Sequence, residues 1–273
     1  MNIVFSHANS FGASTYGVLF KALKRRSLSV KAIEQFGHDP NYPVTSNWPH
    51  LVQQLIDFAQ AEVDQAGAPV FLVGHSLGGF LSLMAAAKAP QLARGVLLLD
   101  APILGGWRAS ALGMAKHTRL VGTVSPGAVS RRRRQQWTNQ AEALAHFQGK
   151  KAFAKWDPAV LADYITHGTR DAVIDGDTRR VLSFERDVET AIYNTLPHNL
   201  PALLRQHPLR CPVAFIGGTH STEMKQVGMT MTERITKGRI MMLDGSHLFP
   251  MERPLVTAAA MEAALLNLAT LTA

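Results

Sequence analysis

Short apolar runs separated by amphipathic stretches fill the first hundred residues. Val70-Phe71-Leu72-Val73 and Val96-Leu97-Leu98-Leu99 show no polar alternation, which is how strands covered on both faces of a parallel sheet read. Asn2 to Ser6 and Ser29 to Glu34 predict two further strands. Between them, Thr15 to Arg26 predicts a helix with a basic face. The loop Gly37 to Pro43 is turn chemistry throughout. Ser46 or Asn47 is then placed to cap a helix on which Leu51, Leu55, Phe58 and Val63 recur at helical spacing. A third helix runs from Phe80 to Lys88 and stops at Pro90. Strands alternating with helices imply right-handed crossovers and a sheet with helices on both faces.

The pattern changes after residue 101. Up to residue 208 no strand of that quality is evident, and helices are expected around Gln136 to Phe147, Pro158 to His167 and Phe184 to Tyr193. Strand and helix alternation then resumes with Pro212 to Ile216, a helix around Met224 to Ile235 and a strand at Arg239 to Leu243. Pro254 opens a last helix that runs to about Leu271. The expected organisation is a core of residues 1–101 and 209–273, with 102–208 a mostly helical cap or lid.

Candidate chemistry sits at one strand-to-helix junction. Gly74-His75-Ser76-Leu77-Gly78 follows an apolar strand and precedes an alanine-rich helix. A G-x-S-x-G turn in that context holds its serine in a strained conformation at the sheet's carboxyl edge, and Gly74, Gly78 and Gly79 supply room for strand and helix to close around it. Helix amides behind the serine can receive negative charge. A serine hydroxyl needs a base within reach. Of eleven histidines, His247 has the best context, in a turn just after the last strand. His75 is expected to pack beside the serine, and for His7, His38 and His220 both substrate contact and plain exposure are open.

These motifs resemble those of the α/β-hydrolase superfamily, and the chain is similar to its esterases and lipases that carry a helical cap. The resemblance implies a mostly parallel sheet flanked by helices, with the first strand here equivalent to the family's third, so that the usual first two strands are missing. It also implies a Ser-acid-His order of triad residues along the chain. The acid is where the chain departs from the family, because the Gly-x-x-Asp turn expected after Pro212–Ile216 has His220 at the acidic position. Asp100, 24 residues beyond Ser76, is the preferred substitute, and Glu223 is the alternative. Asp244 is expected to stabilise its own loop. The oxyanion hole is expected from the N–H groups of Leu77 and Asn9, the latter in a His7-Ala8-Asn9 loop where the family commonly has His-Gly-x. Trp107, Trp137, Trp156 and Phe184 are candidate lining residues of the substrate pocket.

The resulting expectation is a carboxylic ester hydrolase acting on a small-molecule acyl substrate. A thioesterase, lipase or carbon–carbon hydrolase on the same triad, or a homologue that binds without turnover, are the alternatives. Composition adds little to this. The net charge of +8 is concentrated at Arg131-Arg132-Arg133-Arg134, but no nucleic-acid-binding motif accompanies it, and a solvated helix face is expected. No cofactor or metal is expected, since neither a nucleotide-binding glycine loop nor a metal-ligand spacing is present. The single cysteine, Cys211, excludes an intramolecular disulfide. No apolar segment is long enough to span a bilayer, and a reducing cytoplasm is the expected compartment.

Overall fold

The computed structural model describes residues 1–103 and 126–272. Among these, six parallel strands form the main sheet in the order β2-β1-β3-β4-β8-β9. They are β1 (Asn2–Ser6), β2 (Ser29–Ala32), β3 (Val70–His75), β4 (Ala93–Leu99), β8 (Val213–Gly218) and β9 (Ile240–Leu243). The unbroken apolar runs have a direct cause. Ile3, Phe5, Phe71, Val73, Leu97 and Leu99 face one hydrophobic cluster, with Leu19 and Leu23 of α1 (Gly17–Lys24). Val4, Leu72, Val96 and Leu98 face the other, with Leu51 and Leu55 of α2 (Pro49–Ala66) and Leu81 of α3 (Leu77–Lys88). Both faces are covered, so every position of β3 is buried, as is nearly every position of its neighbours β1 and β4. The edge strand β2 is only four residues long and carries Lys31, a shape and charge that discourage edge pairing.

The segment between β4 and β8 carries a small sheet beside the helices of the mostly helical expectation. It contains α4 (Pro126–Arg131), α5 (Gln140–Gln148), α6 (Pro158–His167), α7 (Arg186–Asn194) and α8 (Leu200–Gln206). It also contains a three-stranded antiparallel sheet of β5 (Gln136–Trp137), β6 (Thr169–Ile174) and β7 (Asp177–Leu182). The β6–β7 hairpin turns at Asp175-Gly176, both at positive φ (51° and 86°), the backbone that an Asp-Gly pair adopts readily. The helix expected from Gln136 instead starts at Gln140, where Asn139 accepts a hydrogen bond from the Glu142 N–H.

Two boundaries in the core also shift. Trp48, at φ 57°, precedes α2, while Asn47 accepts a hydrogen bond from the His198 N–H. The helix expected over Met224 to Ile235 is two short ones, α9 (Thr222–Val227) and α10 (Thr230–Thr236), divided at Gly228. The chain closes with α11 (Phe249–Glu252) and α12 (Pro254–Thr270). Among the described residues no helix is long and apolar enough to cross a membrane.

At the turn from β3 into α3 the backbones approach too closely to admit side chains at two glycines. A Cβ on Gly78 would lie 2.0 Å from the Ser6 carbonyl oxygen, and one on Gly74 would lie 2.0 Å from the Gly78 carbonyl oxygen. Neither neighbour is a flexible side chain, so the backbones themselves would have to part. Gly78→Ala is expected to destabilise the fold by about 1–3 kcal/mol or more. Urea unfolding checks this, and an unchanged midpoint contradicts it.

Candidate active site

Ser76 occupies the turn between β3 and α3 at φ 52° and ψ −114°, a conformation rarely tolerated outside glycine. Its N–H bonds the Leu99 carbonyl at 3.0 Å, and its carbonyl accepts from Gly79 at 3.0 Å. The hydroxyl stands 3.0 Å from Nε2 of His247. On the other side of that ring, Nδ1 lies 2.8 Å from Oδ1 of Asp100. Residues at positions 76, 100 and 247 thus converge at the carboxyl ends of β3, β4 and β9.

Asp100 follows β4 at φ 41° with no exposed surface. Besides His247, its Oδ1 accepts from the Ser221 hydroxyl at 2.6 Å, and its Oδ2 accepts from the Gly218 N–H at 2.7 Å. Burial works to raise this carboxyl's pKa. The His247 hydrogen bond and charge, joined by the Gly218 and Ser221 donors, outweigh burial and hold it below its ordinary value. The His247 ring feels the opposite balance: burial lowers its pKa, while the hydrogen bond and charge of Asp100 and the charge of Glu223 leave it raised.

Glu223 is the poorer partner for the imidazole. Its Oε2 is 3.9 Å from Nδ1, and its side chain is 44% exposed. Asp100, Glu223 and His247 are close enough together to hold a cation. However, the Asp100 oxygens already accept from N–H and O–H groups, so the donor set is that of a hydrogen-bonded array. Asp244 pairs with Arg253 and with His220, the latter at 3.2 Å, which ties down its own loop. Burial pushes the Cys211 thiol up to about 11.

Two buried histidines brace the loops around the serine. Ala8 N–H donates to the Tyr16 hydroxyl at 3.0 Å, and that hydroxyl donates to Nδ1 of His75 at 2.8 Å. Nε2 of His75 then donates to the His247 carbonyl at 2.8 Å. The first-strand loop, the serine turn and the His247 loop are therefore linked in one chain of bonds. Similarly, His7 donates through Nδ1 to the Ala8 carbonyl and accepts through Nε2 from the Phe36 N–H, both at 2.9 Å. Burial drives the pKa of His7 down to about 4 and that of His75 down to about 3. His38 is similarly structural: it donates to the Phe36 carbonyl and accepts from the Glu185 N–H.

The loop Ala8–Phe11 leaves one donor unspent. Ala8 N–H goes to Tyr16, Ser10 N–H to the Asn9 side chain and Phe11 N–H to the Ala8 carbonyl. Asn9 N–H has no acceptor among the described residues. Leu77 is the first residue of α3, so its N–H has no partner within the helix.

A cavity of about 790 Å³ opens beside Ser76 and His247. Its described lining includes Phe11, Phe153, Leu248, Arg133, Glu189 and Tyr193. Of the aromatics expected there, Trp137, Trp156 and Phe184 are not part of that lining. Trp156 packs on Phe11, Phe153 and Tyr164, Trp137 on His146 and Phe147, and Phe184 on His7 and His38. Trp107 lies outside the described residues. The arginine run also differs from a uniformly solvated face. Arg133 turns inward to the Glu189 carboxylate at 3.0 Å and to the Tyr164 hydroxyl, while Arg134 pairs with Glu142 at 2.5 Å. Arg133, Glu189, Ser221 and Tyr193 carry no motif, so only tertiary structure reveals them.

The sequence profile of the Alpha/beta hydrolase family matches residues 3–260. The chain belongs to the α/β hydrolase family. It is 30% identical over 128 residues to a monoglyceride lipase of Rattus norvegicus, a match covering 45% of this chain and 42% of that protein. A serine hydrolase-like protein of Dictyostelium discoideum is 24% identical over 259 residues, covering 88% of this chain and 68% of the relative. The fold is also that of the peroxisomal α/β-hydrolase Lpx1 from Saccharomyces cerevisiae, with a TM-score of 0.75 at 17% identity. That alignment covers 100% of this chain and 78% of Lpx1.

The braced histidines predict how stability depends on pH. Folded His7 and His75 stay neutral to about 4 and about 3, whereas the unfolded chain takes up protons below about 6.5. Their contribution is present above pH 6.5 and is lost as pH falls. Lowering the pH from 6.5 to 5 is expected to reduce unfolding free energy by about 3 kcal/mol. Urea titrations at the two pH values check this, and equal midpoints contradict it. Tyr16→Phe leaves the Ala8 N–H and His75 Nδ1 unpaired in the core, for an expected loss of about 2–4 kcal/mol. A wild-type melting temperature in that variant contradicts the bracing role.

Proposed function

We propose that this chain hydrolyses carboxylic esters of small acyl substrates through an acyl-enzyme formed on Ser76. The observation that carries the reading is the run of contacts from the Ser76 hydroxyl through His247 to buried Asp100, at 3.0 and 2.8 Å. In this mechanism the serine oxygen attacks the acyl carbon while Nε2 of His247 takes its proton. The imidazolium then returns that proton to the leaving alkoxide, and a water activated by the same nitrogen releases the acid. Asp100 orients the ring and stabilises its cationic form. The N–H groups of Leu77 and Asn9 receive the negative charge that develops on the carbonyl oxygen.

The segment between β4 and β8 acts as a cap over the substrate cavity. Phe11, Phe153 and Leu248 suit an apolar acyl portion, and Arg133 with Glu189 gives one wall polar character. The rat relative's name speaks of a glyceride ester, which supports ester chemistry. Its alignment covers less than half of each chain, so the acyl length and the alcohol are left to a panel of esters, thioesters and carbon–carbon substrates.

Ser76→Ala is expected to abolish hydrolysis of p-nitrophenyl esters and labelling by a fluorophosphonate. Asp100→Asn is expected to lower kcat by about 10⁴-fold, whereas Glu223→Gln stays within ten-fold of wild type. The reverse ranking would falsify the assignment of Asp100. The base must be neutral to act, so kcat/KM falls as pH drops through the raised pKa of His247. Its acid limb therefore lies above pH 6.5, the ordinary value for the ring. Glu223 contributes to that elevation, so Glu223→Gln is expected to move the limb to lower pH. A pH–rate profile that does not move in this variant counts against the charge coupling.

A further inference from the structure

Glu189 is almost fully buried, at 4% exposure, on α7 of the segment between β4 and β8. It lies about 180 residues along the chain from the loop it holds. Its backbone carbonyl accepts from the Asn9 side-chain amide at 3.1 Å. Its Oε1 accepts from the Ser10 hydroxyl at 2.5 Å, and its Oε2 accepts from Arg133 at 3.0 Å. The other end of the Arg133 guanidinium reaches the Tyr164 hydroxyl. Ser10 is one of the few non-glycine residues at positive φ, 78°, a conformation that needs outside support. The Asn9 side chain also accepts from the Ser10 N–H at 3.1 Å, which closes the loop on itself. The result is a turn in which Ala8, Ser10 and Phe11 spend their N–H groups, and Asn9 keeps its own.

We propose that Glu189 is a positioning residue for the oxyanion-binding loop: the helix α7 that carries it holds Asn9 and Ser10 in the shape that presents the Asn9 N–H. This rests on the hydrolase reading above and adds a coupling to it. Charge stabilisation at the acyl oxygen requires α7 to be seated on the core, so a cap that lifts off dismantles part of the catalytic apparatus. The carboxylate bonds Ser10 in the loop and Arg133 beside it, so it acts on the Asn9 N–H through Ser10. The network also accounts for the inward turn of Arg133, which neutralises a carboxylate that burial would otherwise make costly.

The test compares the purified wild type, Glu189→Ala, Glu189→Gln and Ser10→Ala on a p-nitrophenyl ester and on its thionoester, in which sulfur replaces the carbonyl oxygen. Sulfur is larger and a weaker acceptor, so a formed oxyanion hole discriminates against it. Glu189→Ala is expected to lower kcat on the ester by about 100-fold, with KM within three-fold. The ester-to-thionoester ratio should collapse at the same time. Glu189→Gln can accept from Arg133 and donate to Ser10, and is expected to recover most of the loss. Ser10→Ala removes the hydroxyl's bonds to Glu189 and Tyr193, with an expected loss of kcat of about ten-fold and a reduced ratio. It decides the matter if Glu189→Ala does not fold. An active wild type with alanine variants that keep kcat within two-fold, or that lose kcat at an unchanged ratio, overturns this proposal alone. A wild type that neither turns over the ester nor labels at Ser76 overturns the hydrolase reading and this proposal with it.

Discussion

A carboxylate without solvent contact is the constraint on which the rest of the site depends. Asp100 stays charged in the interior because three hydrogen bonds favour its ionised form, from Gly218 at the end of β8, Ser221 in the loop that follows and His247, and the charge of the His247 ring adds to them. Removing any one donor leaves the charge less well compensated in a medium that penalises it. The same contacts fix where β8 and β9 end relative to β4. The His247 ring is thereby oriented before any substrate arrives, with its far nitrogen facing Ser76. Orientation and charge come from one group, and neither is supplied by a mobile surface residue.

The serine turn is held from the opposite side by neutral groups. Tyr16 and His75 join three loops through bonds whose direction is set by one tautomer, and burial keeps His75 from taking a proton that would reverse it. A charged network around Asp100 and an uncharged one around His75 therefore meet at His247, which bonds to both. Backbone strain at Ser76 and Asp100, both at positive φ, is contained between them.

Much of this was legible in the chain. Unbroken apolar runs announced the central strands because burial on both faces removes alternation, and the glycines at 74 and 78 announced a turn too tight for side chains. Ser76, His247 and Asp100 were all nameable, the first two from local motif and context. Asp100 is marked by its place at the end of the strand after the serine's helix, but no local pattern distinguishes a strand-end aspartate that orients a histidine from one that merely caps. The small sheet between β4 and β8 is not legible although Asp175-Gly176 is a recognisable hairpin turn; β6 and β7 carry Arg170, Asp171, Asp177, Arg179 and Arg180 and are only partly buried, so they lack the apolar signature. The inward turn of Arg133 was not legible, because its partner Glu189 lies 56 positions away and nothing in a run of four arginines marks one as different.

Chain order has a consequence for synthesis. Ser76 and Asp100 directly follow adjoining strands within a stretch of 25 residues, while His247 is 147 positions beyond Asp100. A polypeptide emerging from the ribosome thus acquires its hydroxyl and its carboxylate together, long before an imidazole can reach them. Until β9 joins the sheet edge, that hydroxyl has no imidazole beside it, and the run of contacts from Ser76 to Asp100 lacks its middle member.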